Sequence, residues 1–464
     1  MKVFLVITVS FLLAVSGCCV AMPSDMDSGE YLGDFSVQRP LEQNTYNEKQ
    51  SDISSDEQLP EHNVGHEGHP DSPSDKGLPI HNIAVDESVE QLPVHKNRLA
   101  AGAGHVLFVA DDYSLWAWGN NTFGQVGNGT NEDQFTPVKI MDDVVFVHAN
   151  ANSSMVIQSD GTLWAWGDNN EGQLGDGTKQ NHNEPVKITK NVVSASVADW
   201  FSVFLMSDGS LYGVVDPETR MTYDPATQAH SPTWPPFFLD SITLDEPLIP
   251  VKLIEDRVRY VSASSAHIMV IKDDDTLWGW GSNIEGEVGV GPFYYTDESW
   301  GYVPIYEPSF IMANAAYVSA VGSGTSVVTK EGELWSWGRD FLLTSSQMIS
   351  SGVPVRVMDN VAVIPSAAQI GLTITNCGDL LGWGWFHYDP DGDSQIPAPT
   401  IDDPLKLMEN VTEAVSGGGY YIAINTNGEL LAWGYSSWGQ SGIFGATRYV
   451  PVADPIRIGL SFYG

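Results

Sequence analysis

Residues 114–140 read SLWAWGNNTFGQVGNGTNEDQFTPVKI, and residues 162–188 read TLWAWGDNNEGQLGDGTKQNHNEPVKI. The two stretches align without a gap at an offset of 48 residues. Weaker copies make seven units in all, and they begin at Ser210, Thr276, Glu333, Asp379 and Glu429. The equivalent positions in the seven units are Trp118, Trp166, Val214, Trp280, Trp337, Trp383 and Trp433. A repeat of this length indicates a modular fold in which each unit buries its apolar face against its neighbours.

Each unit combines an alternating apolar strand, a two-residue turn, the tryptophan strand, a Gly/Asn-rich loop and a P-V-K-I strand. Turns such as Asp160-Gly161 and Asn427-Gly428 need positive φ angles, which glycine accepts because it has no Cβ atom. One small sheet cannot bury both of its faces, whereas seven sheets around an axis can. We therefore predict an all-β fold, a seven-bladed β-propeller of four-stranded antiparallel blades over residues 96–464. The repeated tryptophans are expected in its core.

The motif L-W-x-W-G-x-N-x-x-G-Q-x-G-x-G, with the V-S-A-x-x-x-H/S strand before it, resembles the regulator of chromosome condensation repeat family. Unit three departs from the motif at Tyr212 and Val214, and units five and six lack the Gly-Gln-x-Gly loop. The resemblance implies protein interaction through a propeller face, and a ring that joins both chain ends in one blade. The terminal PIRIGLSFYG is expected to be a fourth strand that meets the chain near Leu99. Guanine nucleotide exchange, known for nuclear members of the family, is not expected of an exported chain.

The N-terminal region is typical of an exported protein. Residues 1–21 predict a signal peptide, with Lys2 followed by an apolar run and small residues. Val15-Ser16-Gly17-Cys18 resembles a bacterial lipobox, which predicts cleavage before Cys18 and lipidation of that cysteine. Ordinary cleavage after Ala21 stays open. We expect a bacterial, extracytoplasmic protein, either a cell-envelope lipoprotein or a secreted one.

Residues 22–95 predict a disordered acidic linker rich in His, Pro and Ser. Within it, His62, His66 and His69 lie beside carboxylates. Such a cluster could chelate zinc or copper, or it could be part of a solvated spacer.

The overall charge narrows the range of partners. The 464 residues contain 59 acidic and 21 basic side chains, for a formal net charge of -38 at pH 7. A surface this acidic repels polyphosphate, so a nucleic-acid partner is excluded. The three cysteines are too few for a disulfide scaffold or a cysteine zinc site. We expect a monomeric propeller that contacts a membrane only through a lipid anchor.

Three units carry insertions after the tryptophan strand, at residues 215–247, 292–308 and 385–404. Equivalent loops of a propeller emerge on one side of the disc, so we expect one elaborated face there. Its aromatic side chains suit protein hot spots or sugar stacking, or they could fold back over their own loops. The candidate binding residues are Trp234, Phe237, Tyr294, Tyr295, Trp300, Tyr302, Trp385 and Tyr388.

The sequence offers one metal candidate and no catalytic residue. Asp389, Asp391 and Asp393 resemble the first half of a calcium loop, but Thr400 stands where a glutamate would complete it, so an acidic solvated turn is the alternative. No spacing selects two carboxylates for acid-base catalysis. Cys377 occupies a turn position and is expected to be an exposed thiol. Calcium at this turn is therefore the single cofactor considered.

These observations favour a non-enzymatic, surface-exposed module that binds a protein partner. Carbohydrate binding or hydrolysis at the aromatic face is the alternative, and a secreted enzyme inhibitor is a further one. The sequence does not identify the partner or the glycan.

Overall fold

The structure is a computed structural model that describes residues 83, 92, 96–215, 248–255, 257–291, 305–343, 348–367, 371–383, 403–442, 449–450 and 455–459. The chain divides into two compact units, Met1–Gly77 and Leu78–Gly464. The predicted signal peptide, Cys18 and the histidine cluster of the linker lie outside the described residues. Everything that follows concerns the second unit.

The described residues form short strands, grouped here by blade. Blade 1 has β1 (Leu99–Ala101), β2 (His105–Val109), β3 (Leu115–Gly119) and β4 (Gln134–Met141). Blade 2 has β5 (Val144–Asn150), β6 (Ser153–Gln158), β7 (Leu163–Gly167) and β8 (His182–Thr189). Blade 3 has β9 (Val192–Val197), β10 (Phe201–Met206), β11 (Leu211–Val215) and β12 (Val251–Ile254).

Blade 4 has β13 (Val258–Ala263), β14 (His267–Lys272), β15 (Leu277–Gly281) and β16 (Ile305–Met312). Blade 5 has β17 (Ala315–Val321), β18 (Gly324–Thr329), β19 (Leu334–Leu343) and β20 (Met348–Met358). Blade 6 has β21 (Val361–Val363), β22 (Ser366–Ala367), β23 (Gly371–Thr375), β24 (Leu380–Trp383) and β25 (Leu405–Met408). Blade 7 has β26 (Val411–Ser416), β27 (Tyr420–Asn425), β28 (Leu430–Tyr435), β29 (Tyr449–Val450) and β30 (Ile456–Arg457).

Each blade is an antiparallel meander whose strands follow one another in chain order, except that β22 pairs with blade 7 instead of its own blade. This confirms the predicted all-β, seven-bladed propeller. The repeated positions of the sequence all fall on the third strand of a blade and are buried, at Trp118, Trp166, Val214, Trp280, Trp337, Trp383 and Trp433. Clusters of buried side chains fill the spaces between neighbouring blades, for example Trp166 with Val126 and Leu107. The tryptophans therefore belong to the core, as predicted.

The first strands of neighbouring blades surround the propeller axis, and polar side chains join them. The Ser196 hydroxyl accepts a hydrogen bond from the Ala263 amide (3.2 Å), and the Ser262 hydroxyl accepts one from the Ala320 amide (2.9 Å). In blade 6, Pro365 separates β21 from β22, and β22 pairs in parallel with β26 of blade 7. Proline has no amide hydrogen to donate, so a break in the first strand at this residue is expected.

The ring closes by contact between complete blades rather than by a blade of mixed origin. Among the described strands, blade 1 comes entirely from residues 99–141 and blade 7 from residues 411–457. The expectation of a blade shared by both chain ends is therefore wrong. The terminal segment does supply a fourth strand, because β30 pairs with β28, and Ile458 packs in one cluster with Leu99. Tyr420 adds to the closure by donating from its hydroxyl to the carbonyl oxygens of Gly102 (2.9 Å) and His105 (2.6 Å).

The two-residue turns between second and third strands have the predicted conformation. Gly161 and Gly428 have φ angles of 78° and 75°. Cys377 lies in the equivalent turn of blade 6 and is exposed, as predicted.

Ahead of blade 1, the amide of Leu92 donates to the carbonyl of Ser207 (2.5 Å), and Ile83 packs against the cluster between blades 2 and 3. The described residues include no helix long and apolar enough to cross a membrane.

Candidate binding face

The propeller has two faces with different connections. We call the side that carries the connections between first and second strands, and between third and fourth strands, the loop face. The opposite side, with the two-residue turns, is the turn face. Asn97 bridges Phe146 of blade 2 in parallel, as β22 does β26, so the inner strands run in one direction around the axis. Equivalent connections of all blades therefore emerge on the same side.

The three insertions lie between a third and a fourth strand in the sequence, the position that corresponds to the loop face in blades 1 and 2. The strand pairs that flank them are β11 and β12, β15 and β16, and β24 and β25. The predicted binding residues lie outside the described residues, namely Trp234, Phe237, Tyr294, Tyr295, Trp300, Tyr302, Trp385 and Tyr388. The same holds for the calcium candidates Asp389, Asp391 and Asp393. Their roles stay predictions.

A buried asparagine organises each complete Gly-Gln-x-Gly loop of blades 1 and 2. The side-chain amide of Asn121 donates to the carbonyl oxygens of Thr130 (2.9 Å) and Glu132 (3.1 Å), and its oxygen accepts from the Val126 amide (2.9 Å). Asn169 repeats the pattern in blade 2. One side chain thus satisfies several backbone groups of a loop that has no strand partner. The loop can therefore hold a fixed shape above the sheet.

Three of these loops are hydrogen-bonded to a tryptophan of the next blade, and we call this contact the clasp. The indole Nε1 of Trp166 donates to the carbonyl of Gln125 in the blade 1 loop, at 2.9 Å. Trp337 makes the same bond to Glu287 of blade 4 at 3.0 Å, and Trp118 makes it to Gln440 of blade 7 at 3.0 Å. The last of these bonds links the two ends of the ring. The loops of blades 1, 4 and 7 are therefore structural clasps that join each blade to the tryptophan of the next one. The blade 2 loop instead packs on Val214, since a Cβ atom on Gly175 would lie 2.7 Å from Cγ2 of Val214.

The second glycine of the motif is required by this clasp. A Cβ atom on Gly127 would lie 2.6 Å from Nε1 of Trp166, and one on Gly289 would lie 2.6 Å from Nε1 of Trp337. Both glycines also have positive φ angles, 85° and 89°. Glycine alone tolerates the conformation without strain and leaves room for the indole.

Blade 4 carries an acid where the other complete loops carry glutamine. Glu287 is buried, accepts hydrogen bonds from the Ser282 hydroxyl (2.5 Å) and the Glu285 amide (2.7 Å), and burial raises the pKa of its carboxyl group. In blade 1 the equivalent Gln125 donates to the side-chain oxygen of Asn120. Ser282 replaces that acceptor with a donor, so the pair of substitutions keeps the loop hydrogen-bonded.

Three histidines link adjacent blades and are unsuited to acid-base catalysis; His105 and His267 are fully buried, and His148 is half-buried. Burial lowers the pKa of His105 to about 3, of His148 to about 4 and of His267 to about 3. The Nε2 atom of His105 lies 2.9 Å from Oγ of Ser154, and that of His267 lies 2.7 Å from Oγ1 of Thr325. In the sequence, His105 and His267 occupy the H/S position of the V-S-A-x-x-x-H/S motif, and His148 does not. Their neutral state makes them packing elements with a hydrogen-bonding end.

The charges of the loop face are mostly acidic. The described loops of this face contain nine acidic residues, of which Asp176 and Glu287 are buried: Glu132, Asp133, Asp168, Glu171, Asp176, Asp199, Glu285, Glu287 and Asp403. The same loops contain one base, Lys179, and a second base, Arg339, follows Gly338 and pairs with Glu285 (3.3 Å). No ion pair involves Glu132 or Glu171 within the described part of the chain. This face is therefore strongly electronegative.

The turn face instead carries both signs of charge in close pairs. Lys139 lies 2.7 Å from Asp142, Arg259 lies 2.9 Å from Asp275, and Lys406 lies 2.7 Å from Glu409. Further pairs join Arg98 to Asp111, Arg257 to Asp273, Arg356 to Asp359 and Arg457 to Glu429. Neighbouring charges of opposite sign cancel at a distance, so this face presents less net charge per residue than the loop face.

Exposed apolar side chains also lie on the loop face. Trp438, at the tip of the blade 7 loop, is 47% exposed, and Phe135, at the start of β4, is 37% exposed. Gly439, the residue after Trp438, packs on Phe135, because a Cβ atom on Gly439 would lie 2.7 Å from Cα of Phe135. A second group at blades 4 and 5 consists of Ile284, Val290 and Val353, each at least 39% exposed. Exposed aromatic groups of this kind are typical of binding surfaces.

Trp438 is not among the sequence-predicted binding residues, which all lie in the three insertions. A signal was present, since the positions equivalent to Trp438 hold Phe123, Glu171 and Glu285. A position that varies within an otherwise regular loop is free of a scaffold role. Among the described residues, no group of three or more His, Cys, Asp or Glu side chains could hold a metal ion.

Comparison with known proteins agrees with the repeat and the fold. The family described as regulator of chromosome condensation (RCC1) repeat matches residues 113–157 and 160–205, and a second profile of the same description matches residues 98–125 and 144–173. The structure of yeast RCC1 (Prp20) bound to Kap60 is similar to this chain with a TM-score of 0.58 and 18% identity. The likeness covers 85% of this chain and 91% of that one, and it supports the fold alone.

Two Arabidopsis thaliana proteins show limited sequence similarity. The mitochondrial RCC1 domain-containing protein RUG3 is 28% identical over 140 residues, which cover 29% of this chain and 30% of that protein. The ultraviolet-B receptor UVR8 is 24% identical over 147 residues, which cover 30% of this chain and 32% of the receptor. The chain thus spans about a third of the length of these relatives.

Proposed function

We propose that this chain, a seven-bladed propeller that carries regulator of chromosome condensation (RCC1) repeats, is a non-enzymatic binding module whose loop face engages a protein partner. The observation that carries the proposal is the difference between the faces. Exposed apolar side chains and excess acidic charge occur together on the loop face, while the turn face is ion-paired. The similar yeast RCC1 structure contains a bound protein, Kap60, which agrees with this class of function.

The contrast between Trp438 and the repeated tryptophans supports a binding role. Trp118 and Trp166 are fully buried and bond to the loop of the preceding blade. Trp438 is half exposed although its loop is otherwise fixed, since its amide donates to the Gln440 side chain at 2.9 Å. Holding an aromatic side chain in water is unfavourable by about 25 cal/mol for each Å² left exposed. Its position therefore suits a contact made with another molecule.

Capture of a partner from the native source tests the proposal. Purified propeller should retain a partner that is lost from Trp438→Ala and Ile284→Ser, both on the loop face. The matched control is Tyr113→Ala on the turn face, because Tyr113 is also 47% exposed. Equal loss of the partner from the Tyr113 variant would contradict the proposal.

Carbohydrate binding is a second candidate, which the exposed Trp438 and Phe135 favour because flat aromatic surfaces also stack on sugar rings. A glycan array discriminates between the two. Saturable sugar binding that Trp438→Ala or Trp300→Ala abolishes would favour the carbohydrate function. Titration against secreted hydrolases tests the further alternative, inhibition of an enzyme.

For localisation, we propose an exported bacterial lipoprotein anchored at Cys18, on the basis of the lipobox-like Val15-Ser16-Gly17-Cys18. Labelled palmitate should be incorporated by the native chain and by Cys19→Ala, but not by Cys18→Ala. Label retained in the Cys18 variant would contradict lipidation at this residue. This test is independent of the binding experiment.

A further inference from the structure

We propose that the propeller contains an opening device, in which blades 5 and 6 separate reversibly at the loop face while they stay joined at the turn face. We call the contact between these two blades the 5–6 boundary. The inference goes beyond the proposed function, because it needs no partner and does not depend on which face binds one.

Two positions that link neighbouring blades elsewhere are both glycines at the 5–6 boundary. In blade 1, His105 bonds to Ser154 of blade 2, which stands opposite Trp166 in its own sheet. The register of the strands places Gly324 of blade 5 and Gly371 of blade 6 at the positions of this histidine and this serine. Neither glycine has a side chain that could form the link.

The backbone on both sides of the boundary also departs from the repeat. Blade 5 has no Gly-Gln-x-Gly loop, and its third and fourth strands continue as a hairpin in which residues 342 and 343 pair with residues 349 and 348. In blade 6 the first strand breaks at Pro365, and β22, its loop-face half, pairs with β26 of blade 7 instead of β23. In the described part of the chain, the loop-face end of the 5–6 boundary therefore depends on side-chain packing.

That packing is incomplete. In blade 5 the second-strand residue that faces the next blade is Ser326, and its hydroxyl bonds to the Ser336 hydroxyl across the sheet at 2.7 Å. In the other six blades the equivalent residue is apolar: Leu107, Met155, Val203, Met269, Leu372 and Ile422. Both serines line a cavity of about 20 Å³ against Trp383, which is room for one water molecule. Side chains around a gap lose dispersion contacts, so separating the blades costs less here.

Large side chains fill the other two boundaries at which the preceding blade has no Gly-Gln-x-Gly sequence. Between blades 3 and 4, Phe201 and Ile268 hold the positions of the two glycines, and both are fully buried. Between blades 6 and 7, Tyr421 stacks on Trp433 with the ring centroids 5.3 Å apart, and β22 joins the two blades. Opening therefore occurs first at the 5–6 boundary.

The turn-face end of the boundary is held as in other blades, which makes it the hinge. The Val361 amide donates to the Gly332 carbonyl at 2.9 Å, and blades 2 and 3 make the equivalent bond to the next blade at 3.0 Å. The side chain of Asn376 adds a hydrogen bond to that of Asn360 (3.0 Å). Separation about this end exposes the serine-lined surface of blade 5 towards the loop face.

Cysteine labelling of the full chain measures the opening. Ser336→Cys places a thiol at the 5–6 boundary, and Ala165→Cys places one at the equivalent buried position between blades 2 and 3. N-ethylmaleimide is far larger than a cavity that holds one water molecule, so it reaches position 336 only when the blades separate. Peptide-resolved mass spectrometry follows each thiol, and the exposed Cys377 gives the rate of full reactivity. We expect position 336 to react at least tenfold faster than position 165.

Further variants test the cause and guard against misfolding. Adding Ser326→Val, which gives blade 5 the residue that blade 3 has there, should slow labelling at position 336 at least threefold because it fills the gap. Ala117→Cys and Ala432→Cys repeat the buried control at two more boundaries, and thermal melting identifies any variant that is not folded. Equal labelling rates at position 336 and at the alanine positions would overturn the inference. An unchanged rate after Ser326→Val would overturn it as well.

Discussion

The turn face and the loop face belong to the same seven sheets, yet they carry charge and apolar surface in different ways. On the turn face, short glycine turns repeat from blade to blade, and acids such as Asp142 and Asp275 have basic partners. On the loop face, the clasps repeat but the loop tips do not. Phe123, Glu171, Glu285 and Trp438 occupy one equivalent position. Regularity therefore marks the scaffold, and irregularity at fixed positions marks the surface available for binding.

The largest effect should come from removing a scaffold tryptophan. Trp166→Ala deletes a fully buried indole and its bond to Gln125, so the free energy of unfolding should fall by about 3–5 kcal/mol. Trp438→Ala removes a tryptophan from the loop face and should change it by only about 0.5 kcal/mol. Urea unfolding of both variants measures the difference. A stable Trp166 variant together with an unstable Trp438 variant would reverse our assignment of core and surface.

The next prediction compares the stability lost on replacing a glycine of the clasp with that lost on replacing a glycine of a two-residue turn. Gly127→Ala combines a positive φ angle with a Cβ atom 2.6 Å from the Trp166 indole, so it should cost about 3 kcal/mol of stability. Gly428→Ala on the turn face has a similar φ angle but no atom within 4 Å of the added Cβ, so strain alone should cost about 1 kcal/mol. Thermal or chemical melting compares the two variants. Equal losses of stability in the two variants would show that the Trp166 indole shifts at little cost. Its contact with the blade 1 loop would then contribute little to stability.

An effect that is smaller when measured per pH unit should appear in the pH dependence of stability. The pKa of His267 is about 3 in the folded protein, against an ordinary value of 6.5, because burial disfavours its charged form. Below pH 6.5 the unfolded chain binds a proton that the folded chain does not. The free energy of unfolding should therefore fall by about 1.4 kcal/mol per pH unit for this group, from pH 6.5 down to about pH 3, and be constant above pH 6.5.

His267→Gln should reduce that slope, because glutamine does not titrate. The comparison is between slopes rather than absolute stabilities, since the variant also changes the bonds to Ser264 and Thr325. Urea unfolding at pH 7.5, 6, 5 and 4 gives the slope for each protein. An unchanged slope would mean that His267 is accessible to protons in the folded state.

Much of the fold follows from the sequence because the repeat carries it. The positions equivalent to Trp118 and the glycines of the two-residue turns predict the strands, the core and the turn conformations. Ring closure could not be predicted in the same way. Whether blade 7 takes a strand from the N-terminus depends on which segment pairs with the outer edge of β28, and here β30 pairs with it.

The candidate site was predictable only in part. The side of the disc follows from the place of the insertions in the repeat, but the insertions have no repeated pattern to fix their side chains. Trp438 stands inside a motif that otherwise belongs to the scaffold, and the variation at its position is the one signal in the sequence that separates it from that motif. Its exposure depends on how the blade 7 loop packs on Gly104 and Phe135, residues far away in the chain. Contacts of this kind are set by tertiary packing and leave no local pattern.

Site-specific photo-crosslinking tests the central claim most directly. A benzoylphenylalanine placed at position 438 on the loop face, or at position 113 on the turn face, replaces an aromatic side chain of equal exposure in each case. We predict that illumination in the native source yields a discrete protein adduct from position 438 and none from position 113. An adduct from position 113 with none from position 438 would contradict the assignment of the loop face as the binding face.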